Sequence, residues 1–173
     1  MRKYLAALAF AALTTASAAG QIPGQPIYYF PGRDAMTDAN QSSLAIAEVN
    51  DTGANTFVGV FCDGKGGYDI LLKTKNPLMT KNDLDLDRSP KVMYRIDAET
   101  PKTVSTKTAT LKNAPDLTAV WFTEQAEKEI YRAFVRGRSK VTMRVLRDGM
   151  APLDYVFTAK GFLAGMEKIG NCR

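Results

Sequence analysis

The 173-residue sequence predicts a mainly β fold, an antiparallel sandwich or open barrel with two short helices near the C-terminus. Three observations predict it. Apolar residues recur at every second position through most of 43–159. Clusters of Gly, Asp, Asn and Pro cut that pattern into short runs. A helical period replaces it in only two places, after Thr123 and after Gly161.

The chain begins with the three parts of an export signal. Arg2 and Lys3 are cationic, Tyr4 to Leu13 is an unbroken apolar run, and Thr14 to Ala19 is small and weakly polar. Ala16-Ser17-Ala18 and Ser17-Ala18-Ala19 both suit a signal peptidase. The run is shorter than the roughly 20 residues that span a bilayer. No Cys follows it, which argues against a lipid anchor. Residues 1–19 are therefore expected to be cleaved, giving an exported protein, periplasmic or secreted, that starts near Gly20. Segment 20–42, with Pro23-Gly24, Pro26 and Pro31-Gly32, reads as a loose Gly/Pro-rich leader holding one edge strand at Ile27–Phe30. Residues 43–173 read as a single β-rich domain.

The elements follow in order. Leu44–Val49 is a short apolar strand ended by Asp51-Thr52-Gly53. Thr56–Cys62 is apolar on both faces, with Phe57 and Phe61 opposite Val58, Val60 and Cys62, which marks a central strand. Asp63–Gly67 is a turn and Tyr68–Thr74 the return strand. Residues 76–90 form a polar connection. Val92, Tyr94 and Ile96 then alternate with Met93, Arg95 and Asp97, and Thr103–Leu111 and Leu117–Phe122 are further strands. Thr123 is placed to cap a helix with Glu124 and Glu127 in its first turn. Ala126, Ile130 and Phe134, flanked by Tyr131 and Val135, give that helix its apolar side, and Gly137 ends it. Val141, Met143 and Val145 face the core from the next strand. A five-residue loop, Asp148–Pro152, would pair Val145 with Tyr155 and Met143 with Phe157. Phe162, Leu163, Met166 and Ile169 line a final helix that Gly170 stops.

Chemistry is constrained mainly by what the sequence lacks. It contains no histidine, which removes Ser-His-Asp and Cys-His sites and ordinary His-ligated zinc or copper. Asp83, Asp85 and Asp87 alternate, but an EF-hand begun at Asp83 would need Gly and Glu where Arg88 and Tyr94 stand. Asp63-Gly64-Lys65-Gly66-Gly67 has neither the Ser/Thr nor the following helix of a phosphate loop. Asp97, Glu99, Glu124, Glu127, Glu129 and Asp154 could supply the acid pair of a small hydrolase acting on cell-wall or extracellular polymer, yet nothing in their spacing pairs any two. No catalytic residue, metal ligand or cofactor is expected.

Four features remain. Cys62 and Cys172 are the only cysteines, and in an exported chain two thiols pair. Lys128, Arg132 and Arg136 form a stripe at spacing four, extended by Arg138 and Lys140, with Arg144 and Arg147 beyond. It reads either as a solvated helix face or as a surface for an anionic partner. Arg95 and Asp97 form a candidate polar pair on one strand face. The formal charge of +5, lowered when Arg2 and Lys3 leave, does not suggest nucleic acid.

Val92-Met93-Tyr94-Arg95-Ile96-Asp97, the helix with Ile130 and Phe134, Val141-Thr142-Met143-Arg144-Val145, a Gly turn, Tyr155-Val156-Phe157, and Gly161-Phe162-Leu163 leading to Cys172 together resemble the small exported domain of VasI-type proteins associated with bacterial type VI secretion. The resemblance spans about residues 56–172, and an earlier strand Cys in that family matches Cys62. The N-terminus departs from the pattern in having no additional Cys-containing segment. The resemblance implies an accessory envelope protein with no established enzymatic role. The expected function is thus a non-enzymatic exported binding protein, partnered by an envelope protein or an anionic polymer.

Overall fold

A computed structural model describes residues 18–111 and 114–173. The expected signal segment falls almost wholly outside the described residues. The rest is mainly β, in two antiparallel sheets with three short helices. The strands are β1 (Gly20–Gln21), β2 (Ile27–Phe30), β3 (Ser43–Ala47), β4 (Phe57–Cys62), β5 (Tyr68–Lys73), β6 (Lys91–Ile96), β7 (Lys102–Val104), β8 (Thr106–Leu111), β9 (Ala114–Phe122), β10 (Lys140–Leu146) and β11 (Leu153–Thr158). The helices are α1 (Lys81–Asp85), α2 (Glu124–Arg136) and α3 (Phe162–Lys168), with a 3-10 turn at Gly170–Cys172.

The larger sheet has the order β1-β2-β3-β4-β5-β9-β8 and the smaller β11-β10-β6-β7. β4 is central, as its two-sided apolar pattern predicts. The sheets join along two seams. At one, the chain leaves β7 for β8 through Ser105, and the Thr123 amide bonds the Ser105 carbonyl. At the other, Glu48 bridges to Phe157, and the Val49 amide donates to the Val156 carbonyl at 2.9 Å. These seams tie the two sheets into a barrel-like sandwich. A single core takes the inward residues of both sheets, among them Leu44, Val58, Val60 and Leu72 from the larger and Val92, Val141, Met143 and Phe157 from the smaller. α2 packs on β5, β6, β9 and β10, and so touches both sheets, while α3 packs on β2, β3 and α2.

Several expectations are corrected. Segment 20–42 is not a loose leader. β1 and β2 extend the larger sheet, and Ile22 and Ile27 are buried. The polar connection holds α1, where the Thr80 hydroxyl accepts from the Asp83 amide and the Asp83 carboxylate accepts from the Thr80 amide. This capping box satisfies two donors of the first turn. β10 pairs Val145 with Leu153, Met143 with Tyr155 and Val141 with Phe157, two residues tighter than expected. The odd-to-odd alignment survives. Gly149, at φ +63°, allows the closer turn, and the Arg147 guanidinium closes it on the Ala151 carbonyl at 2.8 Å.

Val135 and Leu163 are exposed rather than packed on the core. Thr123 stands at the N-cap of α2 without a side-chain cap bond, because its hydroxyl turns to the Ser105 carbonyl. Gly137 ends α2 in extended backbone, not a left-handed turn. It is required by proximity instead, since a Cβ there would lie 2.6 Å from the Ala159 Cβ.

Candidate functional site

The disulfide joins Cys62, last residue of β4, to Cys172 in the final turn, across 110 residues of sequence. Both cysteines are buried. The Asn40 side-chain amide, in the connection between β2 and β3, donates to the Ile169 carbonyl at 2.8 Å, so the chain end is held both by the disulfide to β4 and by this bond.

The six candidate carboxylates are each engaged within the protein. Asp97 accepts from the Arg138, Ser139 and Lys140 amides at 2.9, 3.1 and 2.9 Å. Glu99 pairs with Arg136, Glu124 with Lys128, and Asp154 with Arg144. Glu129 accepts from the Tyr94 hydroxyl at 3.1 Å, and Glu127 from the Ile70 amide at 3.3 Å. Burial, with the Glu129 bond adding to it, pushes the Tyr94 hydroxyl up to about 12.

The Arg95–Asp97 pair does not form. Asp97 lies just past β6 at φ +47°, and its carboxylate is spent on the three amides. Those bonds, the Lys140 and Arg138 amides first, hold it below the usual carboxylate range. Arg95 is exposed and, among the described residues, has no ion-pair partner.

The helix stripe is also partly neutralised. Lys128 is bound to Glu124 at 2.7 Å and Arg136 to Glu99 at 3.0 Å. Arg132 stays exposed between them. Arg147 is spent on the Ala151 and Pro77 carbonyls.

Strand pairing assembles two outer surfaces that are not apparent from linear order. Across the larger sheet, Tyr28, Ala45, Gly59, Leu71 and Trp121 form one row facing away from the core. The next row holds Phe30, Ser43 and Phe61. The small side chain of Ala45 lowers the middle of this face, and the bare Gly59 makes room for a neighbouring ring. The Phe61 ring lies over Gly59, where a Cβ would stand 2.6 Å from the ring edge. The result is an open trough of about 350 Å³ walled by Tyr28, Phe30, Phe57 and Phe61. Phe30 is 47% exposed, and Trp121 meets Phe61 edge to face with ring centroids 5.6 Å apart. Sequence alternation places Phe57 and Phe61 on one side of β4 but cannot reveal that Tyr28 and Phe30 arrive beside them.

The second surface is the outer face of the smaller sheet. β10 presents Lys140, Thr142 and Arg144 there, and β6 presents Lys91, Met93 and Arg95. Arg144 stands opposite Met93 and grips Asp154 with two bonds, at 2.6 and 2.7 Å. That grip raises the Arg144 pKa and lowers that of Asp154.

No group of His, Cys, Asp and Glu among the described residues could hold a metal ion. No described helix is long and apolar enough to cross a membrane. Comparison with known protein families, with curated proteins and with solved structures finds no match.

Proposed function

We propose that this is a non-enzymatic exported binding protein of the bacterial envelope, and that it holds a protein partner in the aromatic trough of the larger sheet. The trough carries the reading. Half-exposed rings around a floor of Ser43 and Ala45 form a concave apolar surface, of the kind that receives side chains from another protein. Aromatic anchors in such pockets supply most of the energy of many interfaces. The disulfide supports an oxidising compartment. The engagement of the six carboxylates in internal bonds supports a role other than hydrolysis, and the likeness to VasI-type domains supports an accessory role.

The test starts with a partner isolated on immobilised mature protein from envelope extract and then purified. Replacing Phe57 and Phe61 together by Ser should leave the circular dichroism spectrum unchanged and weaken binding at least tenfold, a loss of about 1.4 kcal/mol. Equal binding by the variant, or release of soluble fragments from envelope polymer by the wild-type protein, would overturn the proposal.

A further inference from the structure

We infer that the outer face of the smaller sheet is a second binding surface, built to take an acidic segment of a partner protein. The inference rests on reading the chain as a binding domain, but on residues separate from the trough.

Arg144 is opposite Met93, so Lys91 and Arg95 sit diagonally on either side of it. Diagonal neighbours on one sheet face lie roughly 7–8 Å apart, close enough for their charges to repel. Lys140 continues the row on β10, giving four cations on one flat face. Among the described residues, the one carboxylate that pairs with any of them is Asp154, on Arg144. Lys91, Arg95 and Lys140 are exposed and, among the described residues, have no ion-pair partner. A face that only needed to be soluble would mix signs, as α2 does with Glu124–Lys128.

The face also contains a receptacle. A cleft of about 160 Å³ opens between Arg95 and Arg144, lined also by Met93, Thr142, Pro101 and the Asp154 that Arg144 holds. Its two guanidiniums are forked donors matched to carboxylates. Asp154 shows that geometry in place on Arg144. An incoming carboxylate would be taken by Arg95, with a second reaching Lys91 or Lys140 along the strands. Charge complementarity therefore selects an acidic polypeptide. Among the described residues the face carries no exposed aromatic ring for stacking on sugars or bases. Its apolar residues, Met93, Leu146 and Val156, are half-buried and do not project as membrane-inserting side chains would.

The experiment uses the full disulfide-bonded chain and a fluorescent peptide of repeated glutamates, followed by anisotropy at low salt. Three variants are compared: Arg95→Glu with Lys140→Glu on the sheet, Lys128→Glu with Arg132→Glu on α2, and Phe57→Ser with Phe61→Ser in the trough. Arg95→Gln serves as a milder sheet variant if the double change impairs folding. The sheet variant should weaken peptide binding about tenfold or more and flatten its salt dependence, while the helix and trough variants bind as the wild-type protein does. No binding by the wild-type protein, equal loss in the helix variant, or tighter binding to polyphosphate or to vesicles containing anionic lipid would each overturn the inference. The trough variant separates the two sites, because it removes the first partner and leaves this one.

Discussion

Where β9 ends and α2 begins, the Ile70 amide of β5 loses the strand neighbour it would otherwise bond, and the Glu127 carboxylate takes that place. The substitution is imperfect. Burial pushes the Glu127 carboxyl up, Asp69 adds to the effect, and the Ile70 amide only partly offsets it. A carboxylate whose folded pKa is raised stabilises the fold in its protonated form, so that contribution is present at low pH and lost as pH rises through the folded value. Glu127→Gln, which keeps an acceptor and removes the charge, should raise the unfolding midpoint at pH 7 and change it little at pH 4. Asp97 behaves oppositely. Its carboxylate is held below its usual value by the 138–140 amides, so its contribution is present at neutral pH and lost as pH falls below about 4. Asp97→Ala should lower the unfolding midpoint at pH 7 and narrow its gap from wild type in acid. Denaturant titrations of both variants across pH 3–8 would check the two signs against each other.

At the scale of elements, what the sequence reveals is set by how local each signal is. The strands of the second half are legible because the pleat has a period of two that needs no partner to be recognised. The helix α2 is legible because its buried residues recur every three to four positions. Thr80 and Asp83 also spell a local signal, the capping box of α1, although the acidic run around them reads as a loop. Registers are different. The tighter β10–β11 turn, the crossing of the chain at Ser105 and the alignment of Tyr28, Ala45 and Gly59 all depend on partners distant in sequence. For the same reason both candidate surfaces are assembled only by the fold, and the helix stripe, which is local, is the feature that internal ion pairs most weaken. The packing of α3 is likewise non-local. Gly165 brings the helix so close to β2 and β3 that a Cβ would stand 2.6 Å from Leu44 Cδ1 and 3.2 Å from Ile27 Cγ2. In an isolated helix Gly→Ala gains close to 1 kcal/mol. Here Leu44 and Ile27 are buried and have little room to yield, so Gly165→Leu should destabilise by about 2–3 kcal/mol through overpacking, read as a lower denaturation midpoint at unchanged slope.

For the whole molecule, the disulfide closes a covalent span of 110 residues. Two seams already hold the sheets together without it, through Ser105 and through Glu48–Phe157. The bridge instead fastens the last helix and turn onto the end of β4, deep in the larger sheet. Its loss should therefore be felt in two ways. A loop of 110 residues implies roughly 4–5 kcal/mol of stabilisation in the chain-entropy model, a figure that real bridges often do not reach. Replacing both Cys62 and Cys172 by Ala should lower global stability by up to that amount. The larger local change should fall on residues 162–173, which keep only the Asn40 bonds and the packing of Phe162, Met166 and Ile169. Hydrogen exchange of the variant should then show α3 and the terminal turn opening well before β4 and β10, with the strands exchanging only through global unfolding. Uniform loss of protection across strands and helix together would mean that the bridge supports the barrel itself, and that the two seams are not sufficient to close it.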